Sequence, residues 1–278
     1  MQRFALRKGL DVPILGAPRE GVEAGPTITT AAVIGEDYVG LKPRLSVAEG
    51  DVVGIGAPIL TDKDTPEVQV VSPAAGRVRA VNRGARRKLL SVEIQIDAAA
   101  APPVDFSAIG DATTIEGLAE RLCAAGLWTS FRTRPFSKIP RPDTRPAAIF
   151  VTATDTEPLA ADPAPIIRDA AEAFVEGLSA VAKLSAGKTY LCQADGADLP
   201  GGDAPGVEAA SFAGPHPAGL AGTHVHFLEP PVGDKVVWTI GYQDVIAIGR
   251  LLQTGTYDPT RIVALTGPAC ADPRVVRT

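Results

Sequence analysis

The sequence predicts a protein of mixed class, with a β-rich first third and a layered α/β remainder. In the first third, Gly and Pro interrupt short apolar runs about every 8–12 residues, which is typical of a small barrel or sandwich. From about Thr113 onward, strand patterns and helix patterns alternate, which indicates a layered domain with a largely parallel sheet. The length of 278 residues suffices for about two domains.

The β-rich third contains a series of short predicted strands. Val92, Ile94 and Ile96 alternate with polar residues, which is the period of a half-buried strand. The run 98–104, rich in Ala and Pro, indicates a linker. Strands are expected at 31–35, 43–47, 51–60, 67–73, 76–81 and 89–96.

The α/β part opens with a predicted helix over 115–125. Thr113 and Glu116 have the spacing of a capping box, in which a hydroxyl and a carboxylate satisfy backbone N–H groups at the helix start. Gly126 can end this helix in the left-handed conformation. The elements expected after it are a strand at 147–153, a helix at 165–183, strands at 189–194, 207–212 and 236–240, a helix at 242–253, and strands at 261–265 and 274–278.

Composition excludes several classes of protein. A hydrophobic content of 45% and a net charge of −5 argue against intrinsic disorder. A pI near 5.3 argues against a dedicated nucleic-acid binder. No apolar run reaches the roughly 18 residues of a membrane-spanning helix. Cys123, Cys192 and Cys270 lie far apart, so they predict neither a disulfide framework nor a cysteine-held metal cluster, and they favour a reduced, cytosolic setting.

The segment 50–78 is similar to the biotinyl/lipoyl carrier domains. Its two halves, GDVVGIGAPIL and VVSPAAGRV, resemble the matching halves of that fold. In true carriers a lysine at a hairpin tip bears the cofactor, and Lys63 lies near that place. Pro73 lies ten positions after Lys63, and Asp64-Thr65-Pro66 would distort a tight hairpin. The pattern therefore favours the carrier-like fold over modification of Lys63.

A basic and aromatic segment occupies residues 131–146. Aromatic residues and Arg are enriched at protein interfaces, and guanidinium groups also bind anions and stack on flat rings. The segment is thus a candidate for docking a protein or holding an anionic or aromatic ligand, and the alternative is a solvated loop. Its members are Arg132, Arg134, Lys138, Arg141 and Arg145, with Trp128, Phe131 and Phe136 interleaved.

All three His residues fall in one segment, GPHPAGLAGTHVHF. If His224 and His226 lie on a strand, their rings share one face, and His216 could complete a zinc site. The alternative is that these side chains form ordinary hydrogen bonds in a tight Gly/Pro segment. No dinucleotide fingerprint and no P-loop occur.

Several long motifs resemble the NqrA family, which belongs to the sodium-translocating NADH:quinone reductases. This resemblance covers essentially the whole chain and implies an N-terminal fragment of a longer family protein. It implies an N-terminal segment (1–25), a biotinyl/lipoyl-like barrel-sandwich domain (26–102), a Rossmann-like α/β domain with a degenerate flavin site (103–255) and the start of a truncated β-grasp domain (256–278). The motifs that carry it are at 8–18, 34–43, 82–92, 125–140, 150–163, 214–230 and 242–255.

The resemblance also implies a role. The family belongs to a complex that oxidises NADH, reduces ubiquinone and exports Na⁺ across the bacterial inner membrane. The chain would be a peripheral subunit on the cytoplasmic side, held to the membrane only through partner subunits. FAD, FMN, riboflavin and the iron–sulfur centres would belong to the other subunits, and no redox cofactor or metal to this chain. The isolated fragment is expected to be non-catalytic.

The same resemblance directs attention to residues 126–134. The complex I and Rnf relatives of this family carry a Gly-rich flavin loop there, whereas this chain has the bulky residues Leu127, Trp128 and Phe131. A phosphate cradle needs bare backbone N–H groups, so FMN binding is expected to be lost.

Three hypotheses remain for what the segment does. In the first, the segment borders a ubiquinone-binding surface. In the second, the segment docks partner subunits and the chain is a scaffold. In the third, the chain is a carrier-like module that uses Lys63. The candidate quinone or interface residues are Trp128, Phe131, Arg132, Arg134, Phe136 and Lys138, with Tyr38 and His216 as weaker candidates.

Overall fold

A computed structural model describes residues 1–278 and divides into two compact units. The α/β unit comprises residues 1–26, 146–249 and 260–278, and the barrel unit comprises residues 27–145 and 250–259. None of the helices combines the length and the apolar composition that crossing a bilayer requires.

The helices and strands are separated largely at the Gly and Pro residues of the sequence. The helices are α1 (Ile115–Ala124), α2 (Pro163–Asp169), α3 (Ala171–Leu184), α4 (Ala221–Leu228) and α5 (Tyr242–Thr254). The strands are β1 (Gln2–Ala5), β2 (Val22–Ala24), β3 (Thr30–Ile34), β4 (Pro43–Leu45), β5 (Val52–Val53), β6 (Pro58–Asp62), β7 (Gln69–Val71), β8 (Gly76–Arg83), β9 (Leu89–Ile96), β10 (Arg132–Arg134), β11 (Ala148–Ala153), β12 (Lys188–Ala194), β13 (Val207–Ala213), β14 (Val237–Gly241), β15 (Ile262–Leu265) and β16 (Arg274–Arg277).

The barrel unit is built from two antiparallel sheets. One has the strand order β3-β9-β8-β5 and the other the order β4-β6-β7. Side chains from both sheets form one apolar core, in which Ile59, Leu60, Val92 and Ile94 are fully buried. The alternation along β9 that the sequence predicts is therefore confirmed for Val92 and Ile94.

The α/β unit is built on a parallel sheet. Its strands follow the order β1-β13-β12-β11-β14. The strand β1 comes from the chain terminus and pairs with β13, which the sequence did not indicate. A smaller sheet has the order β15-β16-β2. One face of the main sheet carries a core that includes Phe150, Cys192 and Phe212.

Three local expectations need correction. The helix expected at 165–183 is divided at Ala170 into α2 and α3, with Asp162 capping the first helix. The cap of α1 is Thr114, whose hydroxyl accepts from Gly117 N at 3.1 Å, and not Thr113. The segment that holds His224 and His226 is the helix α4, not a strand, so the shared-face argument for these two rings fails.

Two helices of the α/β unit pack with their backbones in contact. A Cβ placed on Gly177 of α3 would lie 2.0 Å from the carbonyl oxygen of Val245. A Cβ on Gly249 of α5 would lie 1.7 Å from the carbonyl oxygen of Ala173. Both distances are far inside van der Waals contact, so glycine is what permits this helix crossing.

We predict that Gly177→Ala destabilises the protein although alanine is the better helix former. Forcing a methyl group into this contact should cost about 1–3 kcal/mol. The matched control is Gly222→Ala in α4, where nothing lies within 4 Å of the new methyl group and a gain of about 0.5–1 kcal/mol is expected. Denaturant unfolding of both variants measures the difference, and equal stabilities would contradict the packing argument.

Candidate functional site

The basic and aromatic segment forms an anchored loop in the barrel unit, which we call the arginine loop (residues 127–141). Its first turn, Leu127–Ser130, is a 3-10 helix whose Trp128 is 1% exposed. Trp128 Nε1 donates to the carbonyl oxygen of Pro140 at 2.8 Å. Phe131 is fully buried, with its ring centroid 5.4 Å from that of Trp128. Both rings, which are candidates for a quinone or interface contact, are therefore buried, and the solvated-loop alternative does not fit them.

The tip of the arginine loop presents one aromatic ring to solvent. Thr133 N donates to Lys138 O, and Ser137 N donates to Thr133 O, both at 2.8 Å. The peptide bond between Arg134 and Pro135 is cis, and Phe136 has a φ of 80°. Phe136 is 80% exposed. The closed turn holds this ring away from the core, so it is the member of the predicted set best placed for contact with another molecule.

The guanidinium of Arg132 is used inside the barrel unit. It donates to the carbonyl oxygens of Phe131 at 3.0 Å and of Asp37 at 3.3 Å, and also to that of Thr129. These bonds tie the loop to the turn at 35–40. Arg132 is thus a positioning residue for the loop rather than an open cation.

Arg134 differs from Arg132. Its Nε is buried and has no hydrogen-bond partner. A buried donor left without a partner costs about 1–3 kcal/mol, so Arg134 Nε is an energetically unfavourable point of the loop.

The other predicted residues of the barrel unit lie near the loop. Lys138 packs its methylene groups beside Gly40, where an added Cβ would lie 3.4 Å from Lys138 Cγ. Tyr38 is partly buried and packs against the barrel core. The turn at 35–40, which contains Tyr38, thus lies next to the arginine loop.

The remaining two cations of the segment, Arg141 and Arg145, form ion pairs with carboxylates. Arg141 binds both carboxylate oxygens of Asp143 at 3.0–3.1 Å, and Arg145 binds Glu116 at 3.2 Å. The adjacent guanidinium of Arg141 lowers the pKa of Asp143. These pairs are exposed, so solvent screening leaves each of them a minor contribution to stability.

A cavity of about 190 Å³ lies beside the arginine loop. Leu41, Val68 and Ile139 form its apolar wall, and Asp62, Asp64 and Arg141 contribute charge. The Asp62 carboxylate already accepts from Lys42 N at 2.9 Å and from Thr65 Oγ1 at 2.6 Å. The cavity is below the roughly 300 Å³ of ordinary ligand pockets, and its Asp64 already pairs with Lys42 at 2.7 Å.

Lys63 lies directly after β6 and is exposed. Its backbone N–H donates to Lys42 O at 2.9 Å. The chain then passes through the segment 64–68 before β7 begins, so the lysine is not at the tip of a tight two-residue hairpin.

The weaker candidate His216 belongs to the α/β unit. Its Nδ1 lies 3.2 Å from Thr156 Oγ1, which also accepts from Gly219 N at 2.9 Å. The backbone N–H of His216 donates to Asp11 at 2.9 Å. These bonds fix the turn between β13 and α4, as the hydrogen-bonding alternative for this segment predicts.

His224 and His226 do not converge with His216 on a metal site. His224 is fully buried, and its Nε2 lies 2.9 Å from the carbonyl oxygen of Ala218, while His226 is exposed. No group of three or more His, Cys, Asp or Glu side chains has the arrangement of a metal site.

The sequence reasoning missed a cluster at the carboxyl edge of the parallel sheet. Asp155 follows β11 and Tyr242 follows β14, the two strands at which the strand order reverses. Burial raises the pKa of Tyr242 to about 12, and the nearby Asp155 and Asp162 add to the shift. Ligands of open α/β sheets bind at such edges, but the signal is the strand order, which the sequence does not display.

Comparison with known proteins matches both parts of the chain. A family model described as the NqrA N-terminal barrel-sandwich hybrid domain matches residues 4–97. A second, described as the NqrA second alpha/beta domain, matches residues 113–257, more than half of the chain. The chain belongs to the NqrA family.

Curated relatives agree with this NqrA assignment. The NqrA protein of Rhodopirellula baltica, named as a subunit of the Na(+)-translocating NADH-quinone reductase, is 50% identical over 277 residues, which is 98% of this chain and 61% of the relative. The proteins of the same name from Saccharophagus degradans and Pseudomonas aeruginosa are 50% and 48% identical, over 62% and 61% of their lengths. The chain thus spans about three fifths of the length of these NqrA relatives. A barrel-sandwich domain followed by an α/β domain is confirmed.

The buried imidazole of His224 predicts a specific pH dependence of stability. Burial lowers its pKa from 6.5 to about 4. Between these values the unfolded state binds a proton that the folded state does not, so stability is lost as pH falls through this window. The expected contribution is roughly 3 kcal/mol.

His224→Gln should flatten the decline in unfolding free energy between about pH 6.5 and pH 4. His226→Gln is the matched control, because this ring is exposed on the same helix. Urea unfolding across this range measures both. If the unfolding free energy of both variants falls with pH as steeply as that of the unmodified chain, His224 does not cause the loss of stability in this range.

Proposed function

We propose that the chain serves in a sodium-translocating NADH:ubiquinone oxidoreductase as one of its subunits and contributes to the assembly of that complex. The support is the name of the relatives, which match 98% of the chain at up to 50% identity. In this role the chain is peripheral, on the cytoplasmic side of the inner membrane, and contacts the membrane through the other subunits. It has no role in binding nucleic acid.

We further propose that the α/β unit contains a Rossmann-like domain and the start of a β-grasp domain. The order β13-β12-β11-β14 places consecutive strands to one side of β11 and the next strand to the other, as in a Rossmann-like domain. The domain limits 1–25, 26–102, 103–255 and 256–278 remain our proposal. The pairing of β15 with β16 supports a β-grasp domain that begins at the end of this chain.

Redox cofactors are proposed to reside in the other subunits. At residues 127–131, the side chains of Leu127, Trp128 and Phe131 are at most 2% exposed, so bulky buried groups occupy this stretch. A flavin phosphate would need that space and bare backbone N–H groups. FAD, FMN, riboflavin and iron–sulfur centres are therefore assigned to partner subunits, and the isolated chain is proposed to be non-catalytic.

The observation that carries the docking role is the exposed ring of Phe136. Burying an aromatic ring of this kind at an interface stabilises it by about 1.5–3 kcal/mol, and aromatic anchors dominate interface energetics. The closed turn around Thr133 and Lys138 fixes the backbone that carries the ring, so little backbone entropy is lost on binding.

We predict that Phe136→Ser lowers the amount of the chain recovered with a tagged partner subunit of the reductase at least tenfold, because an interface anchor is lost. The control is Val232→Ser in the α/β unit, where the side chain is 76% exposed and its loss should leave recovery unchanged. Quantitative immunoblotting of the purified complex measures both. If the two variants are recovered equally, Phe136 is not an anchor of the interface.

A second candidate function is contact with ubiquinone, and the orphaned Nε of Arg134 favours it. In this proposal the tip of the loop moves to expose this donor, and a quinone carbonyl oxygen then accepts the hydrogen bond that it lacks. The alternatives are a pure scaffold without quinone contact and a carrier-like module that uses Lys63. An intact mass of the chain without an added group on Lys63 would end the carrier alternative.

In the assembled complex, Arg134→Met should raise the KM for ubiquinone by about tenfold, the effect of one lost hydrogen bond, with assembly intact. Arg141→Met is the control, since Arg141 already pairs with Asp143 at the surface. Steady-state quinone reduction measures both variants. An unchanged KM with normal assembly would reject quinone contact through Arg134 and would leave the scaffold role as the remaining one.

A further inference from the structure

The hairpin between β8 and β9 carries a concentration of positive charge. Residues 76–92 contain no Asp and no Glu, although the whole chain has a net charge of −5. At the end of the hairpin these cations are exposed. The basic residues are Arg77, Arg79, Arg83, Arg86, Arg87 and Lys88.

The backbone at the tip holds two of these arginines outward at a conformational cost. Gly84 N donates to Lys88 O at 2.8 Å and closes the turn. Arg86 and Arg87 then adopt φ values of 55° and 61°, in the left-handed region that glycine and asparagine enter more easily. Neither guanidinium makes an ion pair with a carboxylate of the chain. The tip thus offers two open guanidinium groups in a fixed turn.

The tip is continuous with the arginine loop. Lys88 pairs with Glu36, and a Cβ on Gly35 would lie 2.4 Å from Leu89 O, so the hairpin and the turn at 35–40 are in close contact. The same turn accepts a hydrogen bond from Arg132 through Asp37 O. The hairpin tip, this turn and the arginine loop therefore form one face of the barrel unit, which we call the basic face.

The chemistry of the tip indicates what binds there. Guanidinium groups pair with carboxylates through two parallel hydrogen bonds, which gives both charge complementarity and orientation. Residues 76–92 contain no Phe, Trp or Tyr, so the hairpin tip lacks the aromatic anchors by which basic surfaces enter a lipid interface, and the exposed ring of the basic face is Phe136 of the arginine loop. The charge pattern of the tip therefore fits an acidic protein segment better than a bilayer, and protein-free vesicles test what Phe136 adds.

We propose that the basic face docks an acidic segment of a partner subunit, with the guanidinium groups of Arg86 and Arg87 as its principal contacts. This inference rests on the proposed function and names the chemistry of the partner. Charge complementarity at such a face raises the rate of association and makes the affinity dependent on salt.

The experiment measures binding of the 278-residue chain to inverted membrane vesicles that hold the other subunits of the reductase but lack an NqrA protein of their own. Arg86→Gly combined with Arg87→Asn removes both charges and places residues that tolerate positive φ at these positions. This double variant is expected to fold at least as stably as the unmodified chain. We expect it to bind at least tenfold more weakly at low salt, with a smaller dependence on salt.

The matched control is Arg7→Gly combined with Lys8→Asn, which removes two exposed charges of the α/β unit, and its binding should be unchanged. Protein-free vesicles of phosphatidylcholine and phosphatidylglycerol are the second control. Binding to these vesicles as tight as to subunit-containing membranes would assign the face to lipid and overturn the proposal. Equal binding by the Arg86/Arg87 variant and the unmodified chain would overturn it while the proposed function stands. If the unmodified chain does not bind subunit-containing membranes, the proposed function itself fails.

Discussion

The burial of one indole ring organises the candidate site. Trp128 is almost fully buried and donates to Pro140 O at 2.8 Å, so its bond closes the chain between these residues into a loop. Losing such a buried ring costs about 3–5 kcal/mol, far more than any exposed ion pair of the segment contributes. The positions of Phe131, Arg132 and the cavity beside Pro140 all depend on this anchor, and so does the outward orientation of Phe136.

The cations of the barrel unit separate into two groups by what they already bind. Arg132 donates to backbone carbonyls, while Arg141 and Lys88 are paired with carboxylates. These groups shape the loop and the turn beside it. Arg86 and Arg87 lie outside that network, and the buried Nε of Arg134 is unmatched. Recognition of another molecule is best sought where a donor has no partner, because a satisfied group gains little from binding.

Much of the fold follows from local sequence. The period along β9, the turns at Gly and Pro and the start of α1 near Thr114 depend on neighbours within a few residues, and the structure confirms each of them to within a residue or two. The failures arise where distant contacts decide. The segment of His224 and His226 becomes a helix, and β1 joins β13 across more than half the chain. The hydrophobic pattern over such short segments fits either a helix or a strand, and sheet partners are not encoded locally.

The sequence by itself determined the class of the protein, many of its strands and helices and its resemblance to the NqrA family, because these depend on composition, period and motif. It also located the arginine loop. Only the tertiary structure decided which members of that loop are free to act. Trp128 and Phe131 turn inward and Phe136 turns outward, although all three are aromatic residues of one short segment. The physical reason is that the burial of a ring depends on what the folded chain packs against it, and a local sequence pattern does not display those contacts.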